Sequence, residues 1–269
     1  MAAMSANRAL SRTADNQAKT YERLSSGQRI TSAGDDAAGL SISENLRGQI
    51  RSLGQAERNA NDGISFAQVA EGGLSEIGNI MIRLRELAVQ AGSDTVGDKE
   101  RSYINQEGQS LLQEVDRIAS VTSFNGTPLL NGQASKGELS FQVGIRNDET
   151  DRIKFNTTEN DVRASSLGVE GISYESIEGA REAIDKVDEG MSRVLGARAR
   201  LGATQNKLHS TVNNLAVAKE NFSQARSRIA DTDVAQETSE LVRGNILQSA
   251  GVSVLAQANS APMAALKLL

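Results

Sequence analysis

Asp35 and Asp36 stand side by side in "SAGDDAAGLSI" (32–42), among glycine, alanine and serine. Adjacent carboxylates can hold a divalent cation or share acid/base work. On a helix, however, neighbouring side chains diverge by about 100°. The next acid along the chain, Glu44, lies too far on to complete a ligand shell. A capping role fits the letters better. Gly34 ends a preceding helix, an aspartate caps the next one and complements its positive N-terminal end, and Gly39 allows close backbone approach. Gly34, Asp35, Asp36 and Gly39 are therefore expected to form a helix cap and joint.

Other reactive groups are scarce. His209 is the single histidine, and there is no cysteine. A histidine-based metal site or a Ser-His-Asp triad is thus poorly supplied, and thiolate chemistry is excluded. No G-x-S-x-G, Walker A or G-x-G-x-x-G pattern occurs. Asn125, Asn156 and Asn221 fit the N-glycosylation sequon, a motif short enough to arise by chance. Neither a catalytic residue, a metal site nor a cofactor is expected.

The 269 residues carry a net charge of −5 with acids and bases interspersed, so no basic footprint suggests nucleic acid. No stretch approaches the roughly 18 apolar residues of a membrane span, and "MAAMSANRAL" lacks the form of a Sec-type signal. Aromatics make up 3 %, tryptophan is absent and proline numbers 2. Burial must come from Leu, Ile, Val and Ala, and few helices are forced to break. Long helices with thin seams are favoured.

The spacing agrees. Ala180, Val187, Val194, Leu201, Leu208, Leu215, Phe222 and Ile229 recur every seven residues, with a second row at Ile177, Ile184 and Met191. Such a repeat keeps one stripe against a partner helix and implies supercoiling. From Ile177 to Ile229 it would span on the order of 80 Å. A matching row runs through Leu46, Leu53, Ala60, Ala67, Leu74, Met81 and Ala88, and a third helix holds Ile104, Leu111, Val115 and Ile118 with Asp98 as its N-cap. "TSFNGTPLLNG" (122–132) reads as turns. "ELSFQVGI" and "DRIKFNT" alternate like the strands of a hairpin near 138–157. "TTENDVRASSLGVEG" (157–171) reads as loose connection. Both ends pattern as Ala-rich helices, and Asp233 with Gln236 opens the last one. Each terminal helix is marginal alone and needs a partner. The expected fold is mainly α, a long antiparallel helical bundle or coiled coil with a small β-hairpin region. Leu10, Tyr21, Leu24, Leu247, Val254, Leu255 and Leu268 are the expected self-assembly positions on the terminal helices.

Taken together, these segments resemble bacterial flagellin, the subunit of the flagellar filament. "ERLSSGQRITSAGDDAAGLSI" (22–42), "RNANDGISFAQVAEGGLSEI" (58–77), "RLRELAVQ" (83–90), "LGATQNKL" (201–208), "RIADTDVAQE" (228–237) and "ILQSAGVSVLAQAN" (246–259) follow in the family's order across nearly the whole chain. The resemblance implies a minimal form. Residues 1–34 and 231–269 would make the terminal coiled coil, called D0 and shortened at its N-terminus. Residues 35–230 would make the helical rod, called D1, with its hairpin. The family usually opens with several more residues around an "INTN"-like segment and commonly has lysine where Gly34 stands. The implied function is structural: export through the flagellum's own type III channel, helped by an export chaperone, and polymerisation under a cap protein into an extracellular filament for motility. The alternative is another exported rod component, such as a hook-filament junction protein. The resemblance also implies recognition by an animal toll-like receptor, through Arg83, Leu87, Gln90 and Glu107.

Overall fold

The computed structural model describes residues 2–133 and 137–266, with side chains for 3–133 and 137–260. In chain order these residues form α1 (Ala2–Ser26), α2 (Ala37–Ala91), α3 (Asp98–Val121), β1 (Ser123–Phe124), β2 (Thr127–Pro128), β3 (Glu138–Gln142), β4 (Arg152–Asn156), α4 (Ala164–Leu167), α5 (Ile177–Ala230) and α6 (Val234–Leu266). The fold is mainly α, with two small antiparallel two-stranded sheets, β1–β2 and β3–β4. The chain divides into two compact units, Ser52–Ala218 and Met1–Arg51 with Lys219–Leu269, and α2 and α5 contribute to both.

In the unit Ser52–Ala218 the seven-spaced rows are the core. Ala180, Val187, Val194, Leu201 and Leu208 of α5 are buried, as are Ala60, Ala67, Leu74, Met81 and Ala88 of α2. The helices run antiparallel: Gly190 lies under Met81, and Gly63 lies against Leu208. The second row of α5 is joined by a buried row of small residues one position before it. Ile184 and Met191 are half-buried and pack against the core, and Ala183, Gly190 and Ala197 are buried beside them. Their size explains why the pattern does not mark them, since alanine and glycine leave little trace in hydrophobic periodicity. Here they make room, because a Cβ on residue 190 would sit 2.6 Å from Met81 Cε. Ile104, Leu112, Val115 and Ala119 of α3 complete the bundle.

The turn from α2 to α3 depends on a residue that the hydrophobic pattern does not mark. Arg101 is buried, and its guanidinium donates to the Ala91 and Ser93 carbonyls, both at 2.9 Å, and to Asp98 at 3.1 Å. It thereby satisfies a backbone carbonyl left open by the end of α2. Asp98 is not the N-cap expected of it. Gly97 holds that place with extended backbone, and Asp98 is the first helical residue, where its charge still favours the helix dipole.

Asn125 and Gly126, both at positive φ (48° and 75°), close a tight hairpin between β1 and β2. The second hairpin pairs Leu139 with Phe155 and Phe141 with Ile153. Phe66 of α2 gathers Phe155, Phe141 and Phe124 edge-on at centroid distances of 4.8, 5.4 and 6.0 Å. Four of the chain's five phenylalanines thus fasten the sheets to the helices. The stretch read as loose connection is packed. Val162, Leu167 and Val169 are buried in the main core, followed by Ile172 and Tyr174. Asp116 caps the single-turn α4 by accepting the Ala164 N–H at 2.8 Å.

Candidate assembly and recognition surfaces

The two aspartates of the opening motif turn away from each other. Asp36 Oδ1 accepts the Gly39 N–H at 2.8 Å, and the Asp36 carbonyl accepts the Leu40 N–H, which is N-cap geometry at the start of α2. Asp35 faces back along the linker. Its Oδ2 accepts the Ser32 hydroxyl (3.1 Å), the Thr31 hydroxyl (3.1 Å) and the Ser32 N–H (3.2 Å), and Lys19 Nζ lies 3.7 Å from Oδ1. The Ser32 and Thr31 hydroxyls hold its pKa below the ordinary aspartate value. Gly39 leaves room for this cap, because a Cβ there would collide with the Asp36 carboxylate as it is placed and lie 2.7 Å from Ile30 Cδ1.

Gly34 does not end the preceding helix. It lies in a turn outside the left-handed region, and an added Cβ would meet only Ser32 Oγ at an ordinary 3.6 Å. The break falls at Gly27, whose φ of 69° directly follows α1. From there the two linkers pair. Gln28 bridges Asp231, Arg29 N–H donates to Ala230, Thr232 N–H donates to Gly27, and the Arg29 guanidinium donates to the Ile229 carbonyl at 2.7 Å. Asp233 Oδ1 accepts the Ala235 and Gln236 amides, capping α6.

Helices α1 and α6 pack on one another. Leu10, Leu24 and Leu255 are half-buried, with Leu10 against Gly251. Tyr21 is 55 % exposed, and Leu247 and Val254 are also exposed. Leu268 lies outside the described residues. The uncovered apolar surface is wider than those positions. Val234, Val242, Ile246, Leu247, Val252 and Val254 are all exposed, and Ile246 is so at 63 %. On a helical wheel Val242 and Ile246 lie opposite Glu237, Gly244 and Gly251, which face α1, and Val234, Leu247, Val252 and Val254 flank that contact. Helix α6 thus meets α1 through small and polar residues and leaves its aliphatic side chains mostly uncovered.

On the other unit, Arg83 bridges α2 and α3. Its Nε and Nη2 donate to Glu107 Oε1 at 3.0 and 2.8 Å, and its Nη1 donates to Glu86 at 3.0 Å. These carboxylates raise the guanidinium pKa, first through the Glu107 hydrogen bonds. Gln90 is exposed beyond them. Leu87 does not belong to that surface: it is 1 % exposed and sits in the core. His209 is exposed beside the buried Leu208. Among the described residues no three His, Cys, Asp or Glu side chains gather as a metal set, and no helix is long and apolar enough to cross a membrane.

Paired terminal helices with an uncovered apolar arc, on a chain of long bundled helices, define a structural protein that works through its helix faces. Residues 1–135 match the bacterial flagellin N-terminal helical region and residues 184–269 the bacterial flagellin C-terminal helical region. The chain belongs to the bacterial flagellin family and is a structural subunit of the flagellar filament. It is 44 % identical to a flagellin of Halalkalibacterium halodurans over 99 % of this chain and 97 % of that one. It is 42 % identical to the flagellar filament 31.3 kDa core protein of Treponema maltophilum over 100 % and 98 %. The crystal structure of Bacillus cereus flagellin superposes with a TM-score of 0.52 at 26 % identity, covering 59 % of this chain and 88 % of that one. A flagellar hook-associated protein from Vibrio parahaemolyticus shares the fold (TM-score 0.61, 73 % and 100 % covered) at only 14 % identity. That likeness is one of fold alone.

Proposed function

We propose that the subunit joins the filament chiefly through the outer faces of α1 and α6, as the coiled coil of residues 1–34 and 231–269, while residues 35–230 form the outer rod. The observation that carries this is the exposed apolar arc of α6. Exposed aliphatic side chains gathered on the free face and flanks of one helix mark an interaction surface, and heterologous contacts that do not close generate filaments. Tyr21, Leu247 and Val254 are the sequence-expected positions on this surface, and Leu10, Leu24 and Leu255 hold the pair together beneath it. Gly39, Asp35 and Asp36 fix the start of α2. The subunit is secreted through the flagellar export route, held by an export chaperone before export, and added under a cap protein. It performs no catalysis. The test is seeded growth: purified subunits added to fragments of their own filament should lengthen them in electron micrographs. Subunits that stay monomeric above micromolar concentration would overturn the proposal.

Recognition by a toll-like receptor is proposed for the patch of Arg83, Gln90 and Glu107, supported by their shared exposed surface. Arg83→Ala should weaken receptor signalling by soluble subunit, yet leave its melting temperature almost unchanged, because an exposed ion pair contributes about 0–1 kcal/mol. Unchanged signalling would remove Arg83 from the patch.

A further inference from the structure

The pairing of α1 with α6 contains two nearly equivalent steric steps. Leu10 faces Gly251, where a Cβ would lie 3.2 Å from Leu10 Cδ1. One heptad along, Gln17 faces Gly244, where a Cβ would lie 2.8 Å from Gln17 Cγ. A further heptad brings Arg23, beside Leu24, to Glu237 at 3.7 Å. Large side chains on α1 thus settle onto small residues on α6 at a seven-residue interval. Sterics alone would accept a slip by one heptad. In the slipped pairing Leu10 would face Ala258, Gln17 would face Gly251, and Leu24 would face Gly244, all of them large-on-small. Large-on-small fit repeated every seven residues specifies its register weakly by itself.

The linker bridge of Gln28 with Asp231 holds the native alignment at the base of the pair, and along the helices themselves two polar contacts break the equivalence. Gln17 is 8 % exposed, yet its amide has a partner: Nε2 donates to Asn245 Oδ1 at 2.9 Å. After the slip the residue following the facing glycine would be Val252, which offers no side-chain acceptor. A buried amide without a partner is costly, so the slipped state is disfavoured at this layer. The same slip would set Gly244 where Glu237 now meets Arg23. We infer that Gln17, paired with Asn245 and seconded by Arg23 with Glu237, is the register-specifying layer of the terminal helix pair. It selects one of two sterically equivalent alignments of α1 and α6. A single polar seam position fixing alignment at some cost in stability is a known coiled-coil device.

The inference rests on the filament reading, and growth of unsubstituted protein is the control that separates the two. The chain has no cysteine, so spin labels can be placed at Arg12→Cys and Ser239→Cys, both exposed. Labelled subunits are diluted into unlabelled ones, and the distance is read in filaments by double electron–electron resonance. These positions are axially offset, so a seven-residue slip lengthens their separation by about 10 Å. Native sequence should give one distance. Gln17→Leu should add a second population about 10 Å longer. The exchange Asn245→Val with Val252→Asn moves the partner one heptad along and should make the longer distance dominant. A single native distance in both variants would overturn the inference. So would failure of the exchanged variant to enter filaments that accept labelled native subunits. If the unsubstituted protein itself does not grow, the filament reading fails, and the same distances read on unassembled chains decide the register.

Discussion

At the scale of single residues, Asp35 and Asp36 do different work one bond apart. Asp36 supplies the N-cap of a 55-residue helix, and its carboxylate accepts the N3 amide of Gly39. Asp36→Ala should cost roughly 1 kcal/mol, read as a lower midpoint of thermal unfolding, and Asp36→Asn should restore most of it because asparagine caps well. An unchanged midpoint in Asp36→Ala would remove the cap from the account. Asp35 predicts a pH effect. Its folded pKa is held below the ordinary value of 3.8 by the Ser32 and Thr31 hydrogen bonds. The contribution is therefore present above the unfolded pKa and is lost as pH falls through the folded one. Asp35→Asn should flatten the acid limb of the stability curve below about pH 4 and change little at neutral pH beyond a constant offset. An acid limb identical to that of the native protein would exclude Asp35 as a contributor.

At the scale of elements, Tyr174 shows how an irregular segment becomes part of a helical bundle. It is fully buried, its ring lies directly against Gly108 of α3, and its hydroxyl donates to the Leu84 carbonyl at a long 3.5 Å. Burial pushes its phenol well above the ordinary tyrosine range. Packing outweighs the weak hydrogen bond here. Tyr174→Ala should cost about 3–5 kcal/mol in chemical denaturation, whereas Tyr174→Phe should cost about 1 kcal/mol or less. Equal losses would mean the hydroxyl dominates. This segment also marks where the sequence stops being readable. Rows spaced by seven expose the long helices because each period repeats the same burial. Residues 157–176 have no period, so Val162, Leu167 and Tyr174 look like residues of a surface connection. Small residues hide for a related reason: Ala183, Gly190 and Ala197 form a buried row beside Ile184 and Met191 that hydropathy does not mark. Arg101 is missed because its burial depends on carbonyls contributed by the chain ten and eight residues earlier. In the joint, the Asp-Asp motif and Gly39 were legible from local chemistry. Gly27 was not singled out, since nothing nearby distinguishes it from Gly34.

At the scale of the molecule, the question is which surface gains most from being covered. The charged surface of the unit Ser52–Ala218 is already internally paired in places, by Arg83 with Glu107 and Arg85 with Asp188. Such pairs lose hydration on burial and return little. The free arc of α6 is different. Val242 and Ile246 lie four residues apart on it, exposed and aliphatic, so each would contribute roughly 1.5–3 kcal/mol when buried fully. A carboxylate at either position would have to be desolvated in every subunit of the polymer. Ile246→Asp should therefore raise the critical concentration for seeded growth by roughly 30-fold or more, corresponding to about 2 kcal/mol at each contact. Ile246→Leu should polymerise almost normally, because it keeps volume and apolarity. Both should leave the unfolding of the unit Ser52–Ala218 unaltered, since residue 246 lies in the other unit. If Ile246→Asp grows as fast as the native subunit, the α6 arc faces solvent in the polymer, and the driving contacts must be sought on the α2–α3 and α5 faces instead.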